Sequence, residues 1–100
     1  MDLSVVIPVY NSEKIIEELI EKIVISVENI KLDNSYEIIL VNDCSADRSW
    51  EKIKILSKKF NSIKGINLAK NFGQHNAIMA GIKESNGEII VTMDDDLQHS

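Results

Sequence analysis

Leu3-Ser4-Val5-Val6-Ile7, closed by Pro8, is followed by Ile15, Ile16, Leu19, Ile20, Ile23, Val24 and Val27, and then by Glu37-Ile38-Ile39-Leu40-Val41. The outer runs are short, apolar and rich in β-branched residues, as strands buried on both faces are. The middle set recurs at three- and four-residue spacing and marks the apolar face of a long helix. Asn11 or Ser12 is placed to cap that helix, with acidic Glu13 in its first turn. Lys31-Leu32-Asp33-Asn34-Ser35 breaks it. Pro8 has no backbone donor and is expected to end the first strand.

The alternation continues outward. Asn42-Asp43-Cys44-Ser45-Ala46-Asp47 is a polar loop with several possible helix caps, and Trp50, Ile53, Leu56 and Phe60 share a face of a second helix. Ile63 to Leu68 reads as a weaker third strand. Lys70-Asn71-Phe72-Gly73 turns into a third helix near Gln74 to Glu84, with Ala77, Ile78, Gly81 and Ile82 inward. Asn86-Gly87 stops it, because glycine takes the left-handed C-terminal conformation without penalty. Ile89-Ile90-Val91 is the fourth strand. The order β-α-β-α-β-α-β predicts an α/β fold, a Rossmann-like parallel sheet with helices on both faces and right-handed crossovers. One hundred residues make one small domain or part of one.

Net charge is −5, without a basic stripe, and the aromatic fraction is 5%, so neither a nucleic-acid groove nor a base-stacking platform is expected. Cys44 is the single cysteine, which rules out an internal disulfide and fits a reducing compartment. No apolar run approaches the length of a membrane span, and Met1-Asp2-Leu3-Ser4 lacks the basic region of a signal peptide. The expectation is a soluble, cytoplasmic chain.

Ligands of open parallel sheets bind beyond the carboxyl ends of the strands. The polar clusters fall there: Pro8-Val9-Tyr10-Asn11, Asn42-Asp43, Lys70-Asn71, and Asp94 to Gln98. Asp94 and Asp96 could share a hard divalent cation, Mg²⁺ or Mn²⁺, with Gln98 as a neutral oxygen ligand; the plainer reading is a solvated acidic turn. Asp43 reads either as an acceptor for a base or ribose edge or as an Asx-turn. Tyr10 reads as a stacking ring or a half-buried loop aromatic, and Lys70 as a phosphate contact or a surface lysine. His75 has no second His or Cys at ligand spacing, so a structural or substrate-proximal place is expected, and Cys44 has no base visibly paired with it. Gly65, Gly73, Gly81 and Gly87 fit neither a dinucleotide fingerprint nor a Walker loop.

Val6-Ile7-Pro8-Val9-Tyr10-Asn11, Val41-Asn42-Asp43-Cys44-Ser45-Ala46-Asp47, Asn71-Phe72-Gly73-Gln74 and Met93-Asp94-Asp95-Asp96-Leu97-Gln98-His99, in that order, resemble the signatures of family 2 glycosyltransferases. The nearest branch is that of dolichol-phosphate-mannose-synthase-like enzymes, including bacterial polyprenyl-phosphate glycosyltransferases of cell-envelope polysaccharide synthesis. The resemblance implies a GT-A fold and a nucleotide-diphosphate sugar donor, UDP- or GDP-linked. It places Pro8, Tyr10 and Asn11 around the base and ribose, and Asp43 on the base. Asp94, Asp96 and Gln98 would hold Mg²⁺ or Mn²⁺, with Asp94 also near the ribose. Asp95 and Lys70 are further candidates for donor contact. The implied chemistry is inverting transfer, with a polyprenyl phosphate as acceptor and a full-length protein associated with the cytoplasmic face of a membrane.

Two positions depart from the pattern: Asn42 precedes Asp43 where many relatives carry two acidic residues, and Ser100 stands where the family usually has Pro. The acceptor half and any catalytic base are expected after residue 100, so residues 1–100 read as the N-terminal donor-binding part, inactive alone. A receiver-like signalling module is the alternative, but it needs a further strand and lysine after the acidic cluster. A phosphohydrolase of the Asp-x-Asp type would place its first aspartate after strand one. A fourth strand with an open edge also predicts self-association.

Overall fold

The computed structural model describes residues 1–30 and 35–94. In chain order the elements are β1 (Leu3–Val9), α1 (Ile16–Glu28), β2 (Tyr36–Asn42), α2 (Ser49–Lys59), β3 (Ile63–Asn67), α3 (Gln74–Glu84) and β4 (Ile89–Thr92). All strand pairs are parallel, in the order β3-β2-β1-β4. The expected α/β architecture is therefore observed, and every strand delivers its carboxyl end to the same edge.

The sheet separates two apolar layers. On one face Val5, Ile7 and Val9 of β1 and Ile38 and Leu40 of β2 pack with Ile16, Leu19, Ile20, Ile23, Val24 and Val27 of α1 and Ile53 and Leu56 of α2. On the other, Val6, Ile39 and Val41 meet Ala77 of α3, with Ile66, Leu68, Ala80 and Ile82 around them. The alternation along each central strand is thus buried both ways, which explains why those strands read as unbroken apolar runs. Gly81 lets α3 lie close: a Cβ there would strike Val6 Cγ1 and come within 3.0 Å of Val41 Cγ2.

Two sequence expectations are corrected. Pro8 does not end β1, which runs on to Val9. Val9 carbonyl accepts from Asp43 N–H on the β2 side, whereas Val6 carbonyl accepts from Met93 N–H on the β4 side. Strand alternation therefore turns Pro8 toward β4, whose register with β1 runs only from Leu3 to Val6, so its missing donor breaks no rung there. The N-cap of α1 is Ile15 rather than Asn11 or Ser12: the helix begins at Ile16 after a turn in which Ser12 carbonyl accepts from Ile15 and Ile16 N–H. Asn11 instead takes the left-handed conformation (φ 52°), and its Oδ1 accepts from Ala46 N–H at 2.9 Å. The helix-breaking segment Lys31 to Asn34 lies outside the described residues.

Candidate functional site

The carboxyl ends of β1, β2 and β4 and the start of α3 enclose a cleft of about 200 Å³ lined by Pro8, Tyr10, Asp43, Asn71, Gly73, Gln74 and Asp94. Each wall has a local cause. Pro8, in β1 just before its last residue Val9, offers a rigid apolar wall, and Tyr10, half exposed, rises just after the strand. Asp43 is buried at 3% exposure. Its Oδ1 accepts from Phe72 N–H at 2.8 Å and its Oδ2 from Gly73 N–H at 3.0 Å. Those donors satisfy a carboxylate that burial would otherwise penalise. Gly73 precedes α3 with φ 92°, a conformation that suits glycine and turns the loop sharply into the helix. Gln74, the first residue of α3, then donates from Nε2 to Asp94 Oδ1 at 2.9 Å.

The loop after β2 is braced from three directions. Asn42 is buried and uses both ends of its carboxamide: Nδ2 donates to Asn67 Oδ1 at 2.8 Å, and Oδ1 accepts from Ser45 Oγ. Ser45 Oγ in turn accepts from Asn11 N–H at 3.0 Å. A carboxamide both gives and accepts at this position, which a carboxylate could not do. Asp47 accepts from Ser49 N–H and Oγ, starting α2, and from Glu13 N–H, tying in the turn before α1. Burial pushes the Asp47 carboxyl up, but these bonds outweigh it and leave it below the usual aspartate value.

Of the residues singled out in the sequence, Pro8, Tyr10, Asp43 and Asp94 come together in the cleft. Asn11 and Lys70 do not line it; Asn11 is engaged with Ser45 and Ala46, and Lys70 is exposed in the loop after β3. Asp95, Asp96, Gln98 and His99 lie outside the described residues. His75 is exposed in the first turn of α3, and Cys44 is exposed with φ 57°, its Sγ 3.9 Å from Ala69 carbonyl. Asn71, expected at this edge, lines the cleft, whereas the sequence reading assigned no role to Gly73 or Gln74 as cleft walls. They were visible as a motif, but only the sheet order brings the start of α3 beside the end of β4.

Among the described residues no three His, Cys, Asp or Glu side chains gather as a metal cluster. Asp94 supplies one hard oxygen donor at the open rim, the ligand type that Mg²⁺ and Mn²⁺ prefer. The donor set present is compatible with such an ion and needs oxygen ligands from elsewhere. No helix of the described residues is long and apolar enough to cross a membrane.

Open parallel α/β sheets take their ligands beyond the carboxyl ends of the strands, and the aspartate-rimmed cleft lies there. Residues 4–100 match the model of glycosyl transferase family 2, and the chain belongs to that family. It is 42% identical over 99 residues to a dolichol-phosphate mannosyltransferase of Pyrococcus furiosus, covering 99% of this chain and 27% of that protein. It is 44% identical over 98 residues to an undecaprenyl-phosphate 4-deoxy-4-formamido-L-arabinose transferase of Photorhabdus laumondii, covering 97% of this chain and 30% of that one. The chain thus spans less than a third of these relatives. Among solved structures it resembles S. aureus TarS 1-349 in complex with UDP-GlcNAc (TM-score 0.78, 31% identity, 96% of this chain, 27% of that chain). Its fold also matches a Pyrobaculum calidifontis mannosyltransferase in complex with GDP-Man and Mn²⁺ (TM-score 0.78, 21% identity, 94% of this chain, 27% of that chain).

Proposed function

We propose that residues 1–100 are the N-terminal, nucleotide-sugar-binding part of a glycosyltransferase catalytic domain that transfers a sugar, with inversion, from a UDP- or GDP-linked donor to a polyprenyl phosphate. The observation that carries this reading is the cleft itself. It sets an aromatic ring, Tyr10, and a buried acceptor, Asp43, across from a rim carboxylate, Asp94, in a chain of this family. Tyr10 and Pro8 offer apolar surface to a base and ribose, with Asn11 shaping the turn behind them. Asp43 keeps lone pairs beyond its two backbone bonds and accepts from a base N–H. Asp94, with Asp96 and Gln98, holds Mg²⁺ or Mn²⁺ against the diphosphate, and Asp95 and Lys70 are further donor contacts. When bound, the ion neutralises the charge that develops on the departing nucleoside diphosphate.

The acceptor half and the catalytic base belong to chain beyond residue 100, so residues 1–100 alone bind donor without turnover. The names of the two curated relatives support a lipid-phosphate acceptor and thereby a protein working at the cytoplasmic face of a membrane. No observation at the site favours the receiver-like alternative. The test is an NMR titration of labelled chain with UDP and with GDP, each with and without Mg²⁺ or Mn²⁺. Cation-dependent shifts at Tyr10, Asp43 and Asp94, lost in Asp96→Ala, are expected. Identical spectra with and without nucleotide in a folded sample of a longer chain would sink the reading.

A further inference from the structure

We propose that Gln74 is the positioning residue for the Asp94 carboxylate, fixing its orientation for a divalent cation without competing for it. The proposal rests on the donor-site reading above and adds a residue to it. Gln74 is exposed in the first turn of α3, far in sequence from Asp94, yet its Nε2 reaches Asp94 Oδ1 at 2.9 Å and both side chains line the same cleft.

The donor's chemistry is what makes the contact informative. A carboxamide N–H is neutral, so it uses one lone pair of Oδ1 and leaves the full charge of Asp94, with Oδ2 and the rest of Oδ1, to a cation. A lysine or arginine at the same place would supply the positive charge itself. Metal-ligating carboxylates are commonly held by such a hydrogen bond, and losing it typically costs ten- to a hundredfold in affinity.

The support behind Gln74 is built as well. Residues 72 and 73 are fixed by Asp43, which accepts both their N–H groups, and Gly73 N–H is also within 3.0 Å of Asn71 Oδ1. Asn76 Nδ2 closes back on Phe72 carbonyl at 2.8 Å. The first turn of α3 is therefore held from the β2 side while Gln74 reaches out to the β4 side. Asp43, Gln74 and Asp94 form one hydrogen-bonded span across the cleft. Its base-facing and cation-facing ends are set by the same loop.

The experiment measures Mn²⁺ affinity by water-proton relaxation in the 100-residue chain, its Gln74→Met and Gln74→Lys variants, and Asp94→Asn. Gln74→Met keeps the side-chain length without the donor and is expected to weaken Mn²⁺ binding about tenfold. Gln74→Lys restores a donor but brings charge, and is expected to weaken it further. In the parent, Mg²⁺ shifts the Gln74 side-chain amide resonances, and Asp94→Asn abolishes that shift. Affinity within about twofold of the parent in both Gln74 variants, with binding lost in Asp94→Asn, would overturn the role of Gln74 and leave the donor site standing. Unchanged affinity in Asp94→Asn would overturn the donor site at Asp94, and the proposal with it. Because Gln74 is exposed, the amide spectra of its variants are expected to match the parent outside the cleft.

Discussion

Glu37 shows how much a single residue can conceal. It sits in an apolar strand, is 1% exposed, and accepts from Ser4 Oγ at 2.6 Å, Asn86 N–H at 2.6 Å and Lys64 Nζ at 2.7 Å. Ser4 Oγ also accepts from Gly87 N–H at 2.8 Å, so the carboxylate anchors the turn that leads from α3 into β4. Burial pushes the Glu37 carboxyl up, but its donors, led by Lys64, outweigh that and leave it below the ordinary value of 4.5. With the folded value depressed, its stabilisation is complete above about pH 4.5 and is lost as pH falls through the folded value. Glu37→Gln is expected to lower stability at neutral pH by about 1–3 kcal/mol, read from urea midpoints. The loss on acidification should be shallower in the variant than in the parent; equal slopes would exclude the carboxylate as the titrating anchor. Nothing in the linear pattern marked Glu37. It reads as a polar break in a strand, and only pairing with Ser4 of β1 reveals its partners.

At the scale of elements, α3 does most to place the site. It lies across β1 and β2 on the face opposite α1 and α2, and its first turn ends up beside the end of β4. Gly81 sets the depth of that packing. A Gly→Ala change inside a helix ordinarily gains about 0.5–1 kcal/mol. Here the added methyl meets Val6 and Val41, so Gly81→Ala is expected to destabilise by about 1–3 kcal/mol instead, checked by thermal or urea unfolding. A stabilised variant would show that α3 can lift from the sheet at little cost. The bounds of α3 and β2 were readable almost to the residue, because their periodicity and flanking turns agree. The start of α1 was not: Asn11 and Ser12 have capping chemistry, but the cap position falls to Ile15, and Asn11 accepts from Ala46 N–H, a contact with no signature along the chain.

Across the whole molecule, β4 forms one edge of the sheet, with Ile89, Ile90 and Val91 exposed. Beside it, Leu3, Val5, Leu19, Ile23, Val27, Val91 and Met93 line an apolar groove of about 620 Å³ on the α1 face. An open apolar edge strand invites pairing with another chain. Residues 1–100 are therefore expected to self-associate as concentration rises, and Ile90→Lys, which puts a charge on that edge, to shift them toward monomer in sedimentation velocity. A parent that stays monomeric at high concentration would rule this out.

The local pattern of this chain determined its element order, the parallel sheet and the carboxyl-edge position of its polar clusters. Periodicity records burial directly, and a crossover between parallel strands has a fixed hand. The family motifs pointed to Pro8, Tyr10, Asp43 and Asp94, which meet in the cleft. Tertiary structure alone decided that Pro8 continues β1, that Asp43 is clamped by the loop before α3, that Glu37 is buried and satisfied, and that Gln74 touches Asp94. Each of these depends on which strands become neighbours. With the order β3-β2-β1-β4, residues distant in sequence share one edge, and a hydrogen bond between distant residues leaves no periodic trace in the chain that makes it.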